Sequence, residues 1–148
     1  MEMGLDAFDW HWRRPQADPH QGSNWFHVMQ TATSTRIDQI VSLAESVLPL
    51  HEIAIGPADG LGLGKEFEAR SCLDFLLQDL NRFPGKGQAL ILAGLRSPVV
   101  RNRNMALNAL ANWDPTSRIQ KRDALVQARQ EEVDARLRER IEGLLATE

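Results

Sequence analysis

The stretch from Arg96 to Trp113 constrains the fold more than any other part of this 148-residue chain. Ser97 is placed to cap a helix and Pro98 suits a first helical position. Val99, Ala106, Leu110 and Trp113 fall on one face. Asn104, Asn108 and Asn112, four apart, form a row roughly opposite, with Arg101 on their side. A helix apolar on one side needs a partner to cover that side. The pattern recurs at a constant interval. Leu73, Leu76 and Leu77 are matched 34 positions on by Leu107, Leu110 and Ala111, and again by Ile141, Leu144 and Leu145. That interval lies among the helix-pair repeats, which run from about 33 to 47 residues. One pair cannot bury its own apolar face, so pairs stack. The expected fold class is therefore all-α: a short right-handed α-α superhelix of stacked helix pairs.

Punctuation along the chain marks the elements. Ile37, Ile40, Val41, Ala44, Val47 and Leu48 predict a helix over 35–48, stopped by Pro49. A connector with Gly60, Gly62 and Gly64 follows. A helix is expected over 65–82, with Glu66 and Glu68 in its first turn, where the helix dipole favours acids. Pro84-Gly85 breaks it, and another helix runs from Gly87 to Leu95. Asp114-Pro115 is a further start signal, and 116–146 divides into two helices near Gln130-Glu131-Glu132. Ile53-Ala54-Ile55 is the one short strand candidate. Residues 1–33 hold Pro15, Pro19, Gly22, Trp10, Trp12 and Trp25 without a sustained period. They are expected to form an irregular aromatic arm lying on a repeat domain of residues 34–148, because so many large aromatics do not stay in water.

Composition bounds the function. The apolar and charged fractions, 43% and 25%, are those of a soluble globular domain. No apolar run approaches the roughly 20 residues that span a bilayer, and no signal-peptide layout is present. A single cysteine, Cys72, suits the cytoplasm, the expected localisation. The net charge of −3 conceals a split. Residues 82–122 carry eight basic residues and one acid, whereas 36–81 carry three basic residues and eight acids. Such segregation suggests either an anionic partner or two repeats docked by complementary charge, with solvated faces and internal ion pairs the simpler expectation.

The Arg96–Trp113 stretch resembles the second helix of a HEAT or armadillo repeat, whose pattern V-R-x-x-A-x-x-A-L is met here by Arg103, Ala106, Ala109 and Leu110. Asn102 stands in place of the valine, and Ser97 where an aspartate is common. The resemblance implies an inward-facing Arg103 that needs a carboxylate, and the family's ladder aspartate is missing. Phe83-Pro84-Gly85-Lys86-Gly87 together with 101–107 is also similar to a group of bacterial HEAT-like proteins, some labelled limonene hydroxylase. Hydrocarbon hydroxylation needs a redox cofactor. The sequence carries no dinucleotide fingerprint, haem thiolate or iron triad, and no cofactor is expected.

Several residue groups are candidate sites. Asparagine amides both donate and accept, so the row Asn104, Asn108 and Asn112 with Arg101 suits the main chain of a peptide; the armadillo proteins of nuclear import are similar in this use of asparagines. Lys86, Arg96, Arg118, Lys121 and Arg122 form a candidate anion patch. Trp10, Trp12 and Trp25 with His11 or His27 are a candidate pocket beneath the arm. Gly60-Leu61-Gly62-Leu63-Gly64-Lys65-Glu66 superficially resembles a phosphate loop, but Asp59 and Glu66 replace the required glycine and hydroxyl. Asp9, His11, Asp18 and His20 match no metal-ligand spacing, and no metal site is expected. Cys72 reads as a small buried residue.

The expected function is a non-catalytic scaffold that binds a protein or peptide on the asparagine face. Truncating the three asparagines is then expected to abolish binding with little effect on melting. The alternative is a small-ligand protein or enzyme using the tryptophan pocket. A third reading, nucleic-acid binding through 82–122, is opposed by the acidic net charge. Homo-oligomerisation is left open.

Overall fold

The computed structural model describes residues 7–57, 68–114, 116 and 122–146. These contain nine α-helices and no β-strand. We number them α1 (Ala7–Ala17), α2 (Gly22–Gln30), α3 (Ile37–Val47), α4 (Leu50–Ile53), α5 (Glu68–Leu77), α6 (Gln88–Leu95), α7 (Val100–Ala111), α8 (Arg122–Glu131) and α9 (Ala135–Ala146). A 3-10 turn, Leu80–Arg82, follows α5. Among the described residues, no helix is long and apolar enough to cross a membrane.

Helices α2, α5, α7 and α9 pack in that order as neighbours, and α1, α6 and α8 pack against α2, α7 and α9 respectively. The three helices spaced 34 residues apart are thus consecutive members of one layer. Their first repeat position, Leu73, Leu107 and Ile141, is buried in all three. The later positions drift: Leu144 is only half-buried and Ala111 is exposed. One apolar core runs from Phe8 to Leu145.

The N-terminal stretch departs from the expected irregular arm: it is two helices. Pro15 lies buried within the last turn of α1, where it leaves the carbonyl of His11 without its i→i−4 donor, and Gly22 opens α2. Both read as breakers in the sequence because local propensity cannot register the packing that overrides it. A Cβ on Gly22 would sit 2.8 Å from Phe75 Cε2, so this glycine lets α2 approach α5 closely. Trp25 is fully buried, and its Nε1 donates to Pro19 O at 2.8 Å. Ile53-Ala54-Ile55 is not a strand either; Ile53 closes α4 and enters the core. The Gly60–Glu66 segment lies outside the described residues.

Part of the charge split is met by ion pairs between the two segments. Lys86 meets Asp38 at 3.0 Å, and Arg101 meets Asp74, in each case a basic residue of 82–122 on an acid of 36–81.

Two helical glycines give opposite predictions. In α6, a Cβ on Gly94 would lie 3.1 Å from Ala106 Cβ and 3.3 Å from Asn102 O. In α9, a Cβ on Gly143 would meet nothing within 4 Å. Gly143→Ala should therefore stabilise by about 0.5–1 kcal/mol through helix propensity. Gly94→Ala should destabilise by about 1–3 kcal/mol through overpacking, despite the same propensity gain. Urea midpoints of both variants check the contrast; stabilisation by Gly94→Ala would contradict the close approach of α6 to α7.

Candidate functional site

Helix α7 is tied to its neighbours by polar contacts on both sides. Toward α5, buried Asn102 donates through Nδ2 to Arg70 O at 2.9 Å and to Asp74 Oδ1 at 3.0 Å. Its Oδ1 accepts from Ser97 Oγ at 2.9 Å, and Ser97 Oγ accepts from Val99 N at 3.1 Å. Ser97 thus binds the backbone just before the helix, which starts at Val100, two residues past the expected Pro98. The residue that replaces the repeat pattern's valine is a fully satisfied buried amide, which is the condition for a polar group to sit in a core.

Toward α8 and α9, Arg103 faces inward and has its carboxylate. Nε donates to Glu132 Oε1 and Nη2 to Glu132 Oε2, both at 2.8 Å, while Nη1 donates to Ser97 O at 3.0 Å. Glu132 sits in the short turn between α8 and α9. Its Oε2 also accepts from Asp134 N at 3.0 Å.

The asparagine row is not a bare surface. Arg140 of α9 reaches across, Nη1 donating to Asn104 Oδ1 and Nη2 to Asn108 Oδ1. Asn112 stays exposed and donates to Asn108 O at 2.8 Å. Truncating all three asparagines would strand a half-buried guanidinium. The expectation that melting would hardly change is therefore corrected: two of the three side chains join α7 to α9.

Beside this bridge lies a groove of about 440 Å³ between α7 and α9, lined by Val100, Arg101, Asn104, Asp134, Arg136, Leu137 and Arg140. Arg101 and Asn104 were legible as site residues; Arg136, Leu137 and Arg140 were missed. Arg136 and Arg140 are one helical turn apart and share a face, a signal present in the sequence. What the sequence does not carry is that α9 lies beside the asparagine row. Asp134 Oδ1 accepts from Arg136 N at 2.9 Å and Leu137 N at 3.0 Å, capping α9.

The other candidates are dispersed. Lys86 is paired with Asp38, and Arg96 with Glu131 at 2.7 Å. Arg122 donates to Leu145 O, and Arg118 and Lys121 lie outside the described residues. The three tryptophans have different surroundings. Trp25 is core, Trp12 stacks on Phe8 at 5.7 Å, and Trp10 is 56% exposed. His11 stacks on His27 at 5.4 Å; burial first, then the charges of His27 and Arg14, hold its pKa below the ordinary 6.5. Among the described residues, no three His, Cys, Asp or Glu side chains gather as a metal cluster. Cys72 is buried, and burial, with Glu68 and Asp18, pushes its thiol up to about 11. It therefore stays protonated and unreactive at neutral pH.

Burial pushes the Asp74 carboxyl above its ordinary 3.8, with Asn102 and Arg101 pulling the other way. The folded state therefore holds this proton more tightly than the unfolded chain, so the group's contribution to stability grows as pH falls from above the raised pKa toward 3.8. Asp74→Asn retains an acceptor for Asn102 and removes the buried charge. Its urea midpoint should be no lower than that of the wild type at pH 7, and the wild type should gain on it as the pH is lowered to 4. Parallel pH profiles would contradict the burial of a charged Asp74.

Comparison with models of known protein families, with curated proteins and with solved structures gives no match.

Proposed function

We propose that this chain is a non-catalytic interaction module that holds a peptide segment of a partner protein in the groove between α7 and α9. The observation that carries this reading is the groove itself. It is large enough for side chains, apolar at Val100 and Leu137, and bordered by the Asn104 amide and three guanidiniums. Oriented polar groups around an apolar floor suit a ligand that has both backbone and side chain to offer. The Asn104 Nδ2 makes no hydrogen bond within the described residues, so the row keeps a donor for a peptide carbonyl while its oxygens hold Arg140.

The reading is supported by stacked helix pairs, with α6–α7 and α8–α9 as the clearest two, which we read as repeats of HEAT or armadillo kind. Arg103, Ala106, Ala109 and Leu110, the residues that match the repeat pattern, are all fully buried. In such stacks the binding surface is one exposed helix layer, here α5–α7–α9.

A random peptide library displayed on phage and selected against the full chain tests the proposal. Selected peptides should perturb amide resonances of Val100, Asn104 and Leu137. Val100→Trp, at a half-buried position that opens α7, should fill the groove and weaken them about tenfold or more, a loss of about 1.4 kcal/mol. No selectable peptide, or perturbations confined to other faces, would overturn it.

A further inference from the structure

The charge lining the groove is unbalanced. Lys86 meets Asp38, Arg96 meets Glu131 and Arg103 meets Glu132. Arg140 is different. Its two terminal nitrogens meet amide oxygens, which accept hydrogen bonds but cancel no charge. Neither Arg140 nor Arg136 has a carboxylate within ion-pair distance among the described residues. They stand four apart on α9, a like-charge spacing that disfavours the helix unless something anionic lies between them. Arg101 closes the third side, its Nε on Asp74 and its side chain 64% exposed.

Asp134, the one acid on the wall, has Oδ1 committed to two backbone N–H groups at the start of α9. Three guanidiniums, of which Arg101 is already paired with Asp74, thus line a groove with one carboxylate of its own, in a protein whose net charge is −3. A concave site of sign opposite to its surroundings concentrates field and draws in a ligand of complementary charge. Arginine's planar fork matches the two oxygens of a carboxylate. Asn104 and Asn108 fix the Arg140 fork before any ligand arrives, so less side-chain freedom is lost on binding. Val100 and Leu137 suit the methylene stem of an acidic side chain.

We propose that the α7–α9 groove is a carboxylate pocket, and that the docked peptide is anchored there by a glutamate or aspartate side chain received between Arg136 and Arg140 with Arg101 at the rim. This rests on the peptide-docking reading above and specifies the chemistry of the partner: an acidic segment.

The probes are N-acetyl-glutamate N-methylamide, its glutamine counterpart and glutarate, titrated into the full chain and followed by amide chemical shifts. The glutamate compound should shift resonances of α7 and α9 saturably. The glutamine compound should bind about tenfold more weakly, consistent with loss of a charge-assisted pair. Arg136→Gln changes an exposed side chain, so the fold is retained, and it should weaken the glutamate compound by a similar factor. Arg140→Gln should do the same, with dispersed spectra confirming that the variant is folded.

Equal binding of glutamate and glutamine compounds, or indifference to Arg136→Gln, overturns the carboxylate pocket. Glutarate binding tenfold more tightly than the peptide-like probe overturns the peptide anchor in favour of a free dicarboxylate. The two readings fail separately. Groove-binding peptides that lack an acid leave the docking surface standing without the pocket. Saturable glutamate binding with no selectable peptide does the reverse.

Discussion

A guanidinium with almost no exposed surface, Arg103, is held by a carboxylate with almost none, Glu132, and the arrangement of the last three helices depends on that pair. Removing two charges from water is expensive, and attraction between them repays this only when geometry is good and the remaining donors and acceptors are satisfied. Both conditions are met. The contact is a two-bond fork, the third arginine nitrogen reaches Ser97 O, and Glu132 Oε2 also takes Asp134 N. The turn is gripped from outside as well, by Arg138 Nη2 on Glu132 O at 2.6 Å. A shifted register of α9 would leave both charges unpaired, so the pair disfavours such a shift.

That constraint propagates to the groove. Fixing the α8–α9 turn against α7 sets where α9 begins, and Asp134 then caps it. One helical turn past Arg136 stands Arg140, opposite Asn104 and Asn108. On the other side of α7, Asn102, Ser97 and Asp74 form a second satisfied buried network against α5. Helix α7 is thus specified on two flanks by polar groups and at its centre by Ala106, Leu107 and Leu110. The helices that wall the groove are thus placed by satisfied polar contacts, the kind of support a preorganised site needs.

How much of this was legible in the sequence divides by the range of the interaction. Helix α7, the break after Glu131 and the layer of helices 34 residues apart followed from periodicity and local start and stop signals. Helices α1 and α2 did not, because Pro15 and Gly22 carry breaker signals that long-range packing overrides; the space at Gly22 is defined by Phe75, more than fifty positions away. Arg103 read as inward-facing, while Glu132, 29 residues on, could not be chosen among the acids of the C-terminal third. The asparagine row was visible as spacing. Its meaning was not, since an exposed amide and one that braces an arginine from a neighbouring helix look alike along a single helix. The same blindness hid Arg136 and Arg140, whose face is recognisable but whose neighbour is a matter of tertiary placement.

The central claim is that Arg103 and Glu132 form one energetic unit that sets α9 against α7. A double-mutant cycle with Arg103→Met, Glu132→Leu and their combination, read by urea unfolding, tests it most directly. Each single replacement should cost about 3–5 kcal/mol by leaving a buried charge alone, and the double variant should be much more stable than the sum of those losses implies. Additive losses, or single losses below about 1 kcal/mol of the kind seen for exposed pairs, would contradict it.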